Sequence, residues 1–313
     1  MPSIDLHCHS FFSDGTQSPS QLVQQALAAQ LQYLALTDHD SINGLAEAHQ
    51  AAQGTSLTII NGVEISAVWQ KQLIHIVGLG IDPQNTNLLA GLAEQAQARA
   101  KRGKLIAEKL AQLGIKDTWP EMLALAEGDE NRVGRAHFAQ CLLNRGIVNN
   151  LQKAFDKYLA TGKPAAVPMP WTDMLTAIAW IQQAGGVAVL AHPARYNLSQ
   201  TKLRALLADF KQAGGQAMEV NTANEKVNII NNLAALSQRF ELYASQGSDY
   251  HGTTMPWLKL GHFAEQPSIC MPVWQLLNIK VDQGLWRSLW QSGFAAISVL
   301  FIWRLLSEKA DEN

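Results

Sequence analysis

The chain has 313 residues, a formal net charge of −2 and a pI near 6.5, with 47% hydrophobic and 16% charged residues. That length supports a full hydrophobic core, as one large α/β domain or one domain with an insertion, and the charge excludes a global basic field for nucleic acid, leaving only local patches. Cys8, Cys141 and Cys270 are few, odd in number and unpatterned, which argues against a disulfide framework and for a reducing compartment; with no signal-like leader, the cytoplasm is the expected location.

In chain order, strands are expected at Ser3–His7, Tyr33–Leu36, Leu57–Ile60 and Leu73–Leu79, with helices at Ser18–Gln30, where Pro19 suits the first turn, and Gly44–Gln53. After Asp82-Pro83 the pattern changes. Leu88–Leu113 reads as one long Ala/Gln/Lys-rich helix, and further helical pieces run to Tyr158 with no convincing strand. The Pro-rich stretch from Gly162 to Pro170 ends this block. Strands then return at Gly186–Leu190, Ala217–Val220 and Leu242–Ser245, separated by helices at Met174–Ala184, Lys202–Ala213 and Asn228–Phe240. Such alternation predicts a parallel sheet with right-handed crossovers, closing as an α/β barrel of about seven strands with a small helical domain inserted. The stretch Gly284–Trp303 is strongly apolar but is interrupted by Arg287, Ser288, Gln291 and Ser292. It approaches the roughly 20 residues of a membrane span; a docked or peripheral amphipathic helix is expected rather than an anchor.

The polar residues that end these apolar runs carry the chemistry. His7 and His9, His39, Glu64, His192, and Asp249 with His251 are expected at the C-terminal ends of strands, which converge on one face of a barrel. Asp14 lies in the turn after the first strand, and His75 lies inside its strand, where an inward position reaches the same centre. Each has an ordinary alternative alone: a turn at Asp14-Gly15-Thr16, a helix N-cap at Asp38-His39-Asp40, a solvated strand end at Glu64, a core histidine at His75. Together they exceed the four to six donors that one ion takes, so two or three divalent ions are implied. Clustered divalent metals polarise a phosphoryl group and acidify a bridging water. A metal-bridged hydroxide attacking phosphorus, with no separate side-chain base, is the expected nucleophile. That favours phosphoester hydrolysis, although an amidohydrolase could share the ligands.

The segments Asp5-Leu-His-Cys-His-Ser10, Leu36-Thr-Asp-His-Asp40, Gly62-Val-Glu-Ile-Ser66, His75-Ile-Val-Gly78, Ala191-His-Pro193 and Gly247-Ser-Asp-Tyr-His251 resemble the ordered motifs of the polymerase and histidinol phosphatase (PHP) superfamily. Asn131–Phe138 and Tyr158–Pro164 resemble its branch of 3′,5′-nucleotide bisphosphate phosphatases that also act as 5′-to-3′ exoribonucleases, the RNase AM group. The resemblance implies a distorted seven-stranded PHP barrel formed by residues 1–98 and 172–275, a helical insertion at 99–171 and an apolar tail at 276–313. It implies a trinuclear site, with manganese first and zinc or iron as alternatives. His7, His9, Glu64 and Asp249 would hold one ion; Glu64, His75 and His192 a second; Asp14, His39 and His251 a third. Nucleoside 3′,5′-bisphosphates and short or 5′-end RNA are the implied substrates, and no obligate protein partner is evident. A histidinol-phosphatase-like phosphomonoesterase and a non-catalytic accessory module are the competing readings.

Four cations are candidates for phosphate binding: Arg132 and Arg135 as guanidinium forks, Arg195 beside His192, and Lys163 at the rim. The expected pose puts a terminal 5′-phosphate on the metals and the 3′-phosphate on the arginines. Trp69 and Tyr196 are read as either base platforms or packing residues, His137 as structural or binding, and His49 and His262 as surface histidines.

Overall fold

The computed structural model describes residues 3–168, 171–253, 257–277 and 279. The expected helix in Gly284–Trp303 lies outside them. Among the described residues, no helix is long and apolar enough to cross a membrane.

The first part contains β1 (Ile4–Asp5), α1 (Pro19–Ala28), β2 (Tyr33–Leu36), α2 (Leu45–Ala52), β3 (Thr58–Trp69) and β4 (Gln72–Leu79). Helix α1 begins as its sequence dictates. The Ser18 side chain caps the N–H of Gln21, Gln21 returns the bond to Ser18, and Pro19 takes the first position. The helical block comprises α3 (Thr86–Gln112), α4 (Thr118–Leu125), a 3-10 turn, α5 (Arg135–Asn144), α6 (Leu151–Ala154) and a π turn at Phe155–Leu159. Then follow β5 (Thr172–Asp173), α7 (Met174–Gln183), β6 (Val187–Leu190), α8 (Gln200–Gln212), β7 (Ala217–Thr222), α9 (Val227–Arg239) and β8 (Tyr243–Gly247).

These strands form one sheet in the order β1-β2-β3-β4-β6-β7-β8, with β5 paired to β3. Leu6 donates to Gln246 and His9 to Tyr250 across the gap between the outer strands, and a bridge between Cys8 and Tyr250 nearly closes the barrel. The expectation of an all-parallel sheet fails at β4, which is antiparallel to both β3 and β6. The cause is the length of β3. It was expected to end at Ile60, but its apolar alternation continues to Trp69 and turns back at Gln70 and Lys71, both with positive φ. Two such residues make the tight hairpin that an antiparallel neighbour requires. Glu64 consequently lies within a strand, beyond the point where β2 stops pairing.

Apolar side chains of α7, α8 and α9 pack against the sheet, while α1 and α2 cover its other flank. The helical block has a separate core around Ile106, Leu110, Met122, Phe138 and Leu142. Helix α3 joins the two, contributing Leu88 and Leu92 to the barrel core and Ile106 and Leu110 to the other. It is continuous across residue 99, where the insertion was expected to begin.

The end of β8 touches the loop after β1 closely. A Cβ added at Gly247 would lie 2.7 Å from the His7 backbone nitrogen, with the His7 side chain nearer still. Overpacking of this kind costs about 1–3 kcal/mol. We therefore expect Gly247→Ala to lower the urea midpoint of unfolding correspondingly; an unchanged midpoint would show that His7 has room to move.

Candidate metal centre and phosphate cleft

Glu64 points into the barrel and is fully buried. Five imidazoles converge on it. Its Oε2 lies 3.3 Å from Nε2 of His7, 3.3 Å from Nε2 of His9 and 3.0 Å from Nδ1 of His39, and its Oε1 lies 3.1 Å from Nδ1 of His75 and 3.0 Å from Nε2 of His192. Asp249 Oδ1 adds contacts of 3.3 Å to His7 and 3.2 Å to His9. Asp14 meets His251 at 3.2 Å and His39 at 3.8 Å. The structure thus brings His7, His9, Asp14, His39, Glu64, His75, His192, Asp249 and His251 into one continuous cluster.

Neighbouring carboxylates fold the loops that present these groups. Asp38 accepts from Ser10 N–H (2.7 Å), Ser10 Oγ (2.6 Å) and Ser13 Oγ (2.7 Å), curling the His9–Asp14 loop. Asp40 accepts from Ser66 N–H and Oγ, from Gln95 and from Arg99, tying the His39 turn to β3 and α3. Asp5 accepts from the N–H groups of His7, Ser248 and Gly261. Asp40, His192 and Asp249 have φ of +50°, +27° and +52°. Such backbone costs a non-glycine residue on the order of 1–3 kcal/mol and persists only where the surroundings impose it.

The donor set fits divalent cations. Nδ1–H of His7 donates to Glu219 Oε1 at 2.7 Å, because a carboxylate can only accept. Nε2 of His7 therefore faces His9 Nε2 at 3.0 Å and two carboxylates. Acceptors this close need positive charge between them. Nδ1 of His39, His75 and His192, Oε2 of Glu64 and Oδ1 of Asp14 are buried without a hydrogen-bond partner. Three groups converge tightly: His9, Asp14, His39 and His251; His7, His9 and Asp249; His39, Glu64 and His75. Mixed imidazole and carboxylate donors suit manganese, iron and zinc.

Protons compete for the same positions. Burial opposes charge on His9, but the carboxylates of Asp249 and Glu64, 3.2 and 3.3 Å away, override it and push the imidazole up to about 10. Burial likewise opposes charge on His7, yet Glu219, Glu64 and Asp249 hold it well above its ordinary value. Burial would raise Glu64, but His39, His7 and His75 hold its carboxyl well below the usual range. A His raised this way is protonated at pH 7 and must release its proton to bind an ion. We expect manganese uptake to release protons and to tighten as pH rises toward about 10. Calorimetry in buffers of different ionisation enthalpy measures this, and a buffer-independent heat would contradict it.

A cleft of about 390 Å³ opens beside the cluster, and its lining includes Asp14, His39 and His75 together with Arg99, Arg102, Arg132 and Arg135. No motif in the sequence marks Arg99 and Arg102. They stand one turn apart on α3, a spacing that puts both on one helix face, and they were submerged in an Ala/Gln/Lys-rich helix. Arg99 bonds Asp40 and sits 4.9 Å over the Trp171 ring. Burial, with Arg135 and Arg99 nearby, pushes Arg102 down to about 9, and burial with Arg99 lowers Arg135. Among the described residues neither Arg102 nor Arg135 makes an ion pair, so the cleft holds positive charge that an anion would neutralise.

Arg195 bonds Asp249 Oδ2 through one guanidinium nitrogen and so braces a cluster carboxylate. Arg132 is engaged by Glu127, by the Phe11 carbonyl and by the Phe11 and Phe12 rings. Lys163 is exposed and does not line the cleft. Trp69 is buried with its indole N–H on Asp209, and Tyr196 is buried with its hydroxyl accepting from His75 N–H and donating to the Ala191 carbonyl; both are packing residues. Nδ1 of His137 caps α5 by accepting from Gly134 N–H.

Comparison with known proteins adds relatives. Residues 5–167 match the PHP domain. A 3′,5′-nucleoside bisphosphate phosphatase of Chromobacterium violaceum is 39% identical over 281 residues, 90% of this chain and 98% of that one. The 5′-3′ exoribonuclease Rnm of Escherichia coli is 42% identical over 274 residues, 87% of this chain and 92% of that one. A solved structure from Chromobacterium violaceum, described as an amidohydrolase with bound sulfate and no metal, superposes with a TM-score of 0.83 at 39% identity, covering 88% of this chain and 95% of that one.

Proposed function

The chain belongs to the PHP-domain family, and on that premise we propose that it is a metal-dependent phosphoesterase with two related activities. It removes the 3′-phosphate of nucleoside 3′,5′-bisphosphates, such as 3′-phospho-AMP, and it releases nucleotides from the 5′ end of RNA. One observation carries this reading: a single cleft is walled by Asp14, His39 and His75 and by Arg99, Arg102, Arg132 and Arg135. A substrate with two phosphates suits a cleft with two anion-seeking walls, and relatives over nearly the whole chain bear both activities in their names.

We assign three divalent ions, manganese first, to the cluster. His7, His9, Glu64 and Asp249 would hold one, Glu64, His75 and His192 a second, and Asp14, His39 and His251 a third, with His9 close to both the first and third sets. Bound ions of this kind polarise a phosphoryl group and lower the pKa of water from about 15.7 toward about 7. No side-chain base is assigned.

The two activities share the bond that breaks. Releasing a 3′-phosphate, and releasing a 5′-nucleotide from RNA, both cleave the bond between the 3′ oxygen and phosphorus. The 3′-phosphoryl group therefore belongs at the histidine and carboxylate cluster, and the 5′-phosphate belongs on the arginines. This reverses the pose expected from sequence, in which the metals held the 5′-phosphate. Arg102 and Arg135 offer paired N–H donors matched to phosphate oxygens. Arg99, fixed by Asp40, links that wall to the His39 turn. In RNA, the next nucleotide's phosphodiester takes the place of the free 3′-phosphate.

The helical block's separate core supports reading residues 99–171 as an insertion on a barrel of 1–98 and 172–275. The buried free thiols of Cys8, Cys141 and Cys270 support a reducing compartment, and we place the protein in the cytoplasm.

Phosphate release from 3′-phospho-AMP with manganese, compared with histidinol phosphate, tests the substrate. Turnover of histidinol phosphate alone would replace this reading with the phosphomonoesterase one. For Arg102→Ala and Arg135→Ala we expect kcat/KM on 3′-phospho-AMP to fall about 10- to 100-fold, as loss of a charged hydrogen bond implies, with metal content unchanged. Wild-type kcat/KM in both variants would remove the arginines from substrate binding.

A further inference from the structure

Glu219 was not singled out in the sequence and is not assigned to the ion set, yet it touches two members of the cluster. It lies on β7 and is 1% exposed. Its flanking residues Met218 and Val220 belong to the apolar core, so strand alternation turns Glu219 to the opposite face. The register with β8 slips just after it, between Glu219 and Asn221. Bulges of this type re-aim side chains beside active sites.

Both carboxylate oxygens are used. Oε1 accepts from Nδ1–H of His7 at 2.7 Å, and Oε2 accepts from the backbone N–H of His192 at 2.6 Å. Among the described residues no Lys or Arg lies within ion-pair distance of Glu219; its one ion-pair contact is His7. A buried carboxylate is costly, and apart from Arg195 at longer range the charge is met by the His7 imidazole, so its retention between two cluster residues needs a reason. The imidazole supplies one. A histidine whose far nitrogen donates to a carboxylate has its tautomer and ring plane fixed, with the near nitrogen turned to the metal.

We propose that Glu219 is a positioning residue of the metal centre. It fixes His7 as the Nδ1–H tautomer with Nε2 turned inward, and it holds the His192 backbone at the end of β6. One carboxylate thereby orients ligands of two different ions. The proposal rests on the metal reading given above.

Glu219→Gln keeps the shape but has one acceptor oxygen for two donors, so one of the two bonds is lost. Calorimetric titration of manganese into the stripped, folded variant should show binding weakened about 10- to 100-fold, and kcat should fall with it. A purely structural carboxylate would change thermal stability and leave the affinity of folded protein as in wild type; that result overturns the proposal. A second measurement needs no variant at Glu219. In zinc-loaded wild type with 15N-histidine, the His7 ring, identified by its absence from His7→Gln, should carry its proton on Nδ1 and the metal on Nε2. A proton on Nε2 overturns the proposal even if Glu219→Gln fails to fold. Wild-type protein that takes up no ion overturns the metal reading and this proposal together, whereas ion uptake with no phosphate release from 3′-phospho-AMP overturns only the substrate assignment.

Discussion

A carboxylate buried where neither Lys nor Arg reaches must be neutralised by something else. Among the described residues, Glu64 meets only imidazoles, five of them between 3.0 and 3.3 Å away. Leaving such a charge uncompensated costs several kcal/mol; protons favoured on His7 and His9 supply part of the compensation, while burial lowers His39 and works against charge there. Divalent cations satisfy the imidazole lone pairs and the carboxylates at once. The barrel keeps this arrangement from collapsing. The clustered groups come from strands and strand ends spread around the sheet, and braces at Asp5, Asp38 and Asp40 fix the loops by backbone hydrogen bonds.

The two walls of the cleft come from different parts of the chain. Ligand-type residues belong to the barrel, and the arginines belong to α3 and the helices after it. Helix α3 makes this possible by leaving the barrel core near Leu92 and entering the second core near Ile106, with Arg99 and Arg102 at the crossing. Because Arg99 and Gln95 both bond Asp40, beside His39, the helical block is anchored at the ligand cluster itself.

Much of this was legible in the residues. The apolar periodicity located most strands and helices to within a few positions, and the motifs at strand ends named the groups that meet at Glu64. What was missed has physical causes. A hydrophobic run of strand length does not reveal whether it pairs parallel or antiparallel, so the direction of β4 emerges only in the fold. Two arginines in an Ala/Gln/Lys-rich helix look like a solvated face until tertiary packing buries them. No pattern in the sequence announces the contacts of Arg195 with Asp249 or of Arg132 with Glu127 and the Phe11 carbonyl, because they join residues brought together only by the fold. Glu219, inside an apolar strand, offered no pattern beyond being a charge where none was expected.

The most direct test of the account is anomalous diffraction from crystals grown with manganese, with data collected near the manganese edge. Anomalous peaks are expected within the cage of His7, His9, Asp14, His39, Glu64, His75, His192, Asp249 and His251, with Glu64 between two of them. A well-ordered crystal with those side chains in place and no anomalous signal among them would contradict it.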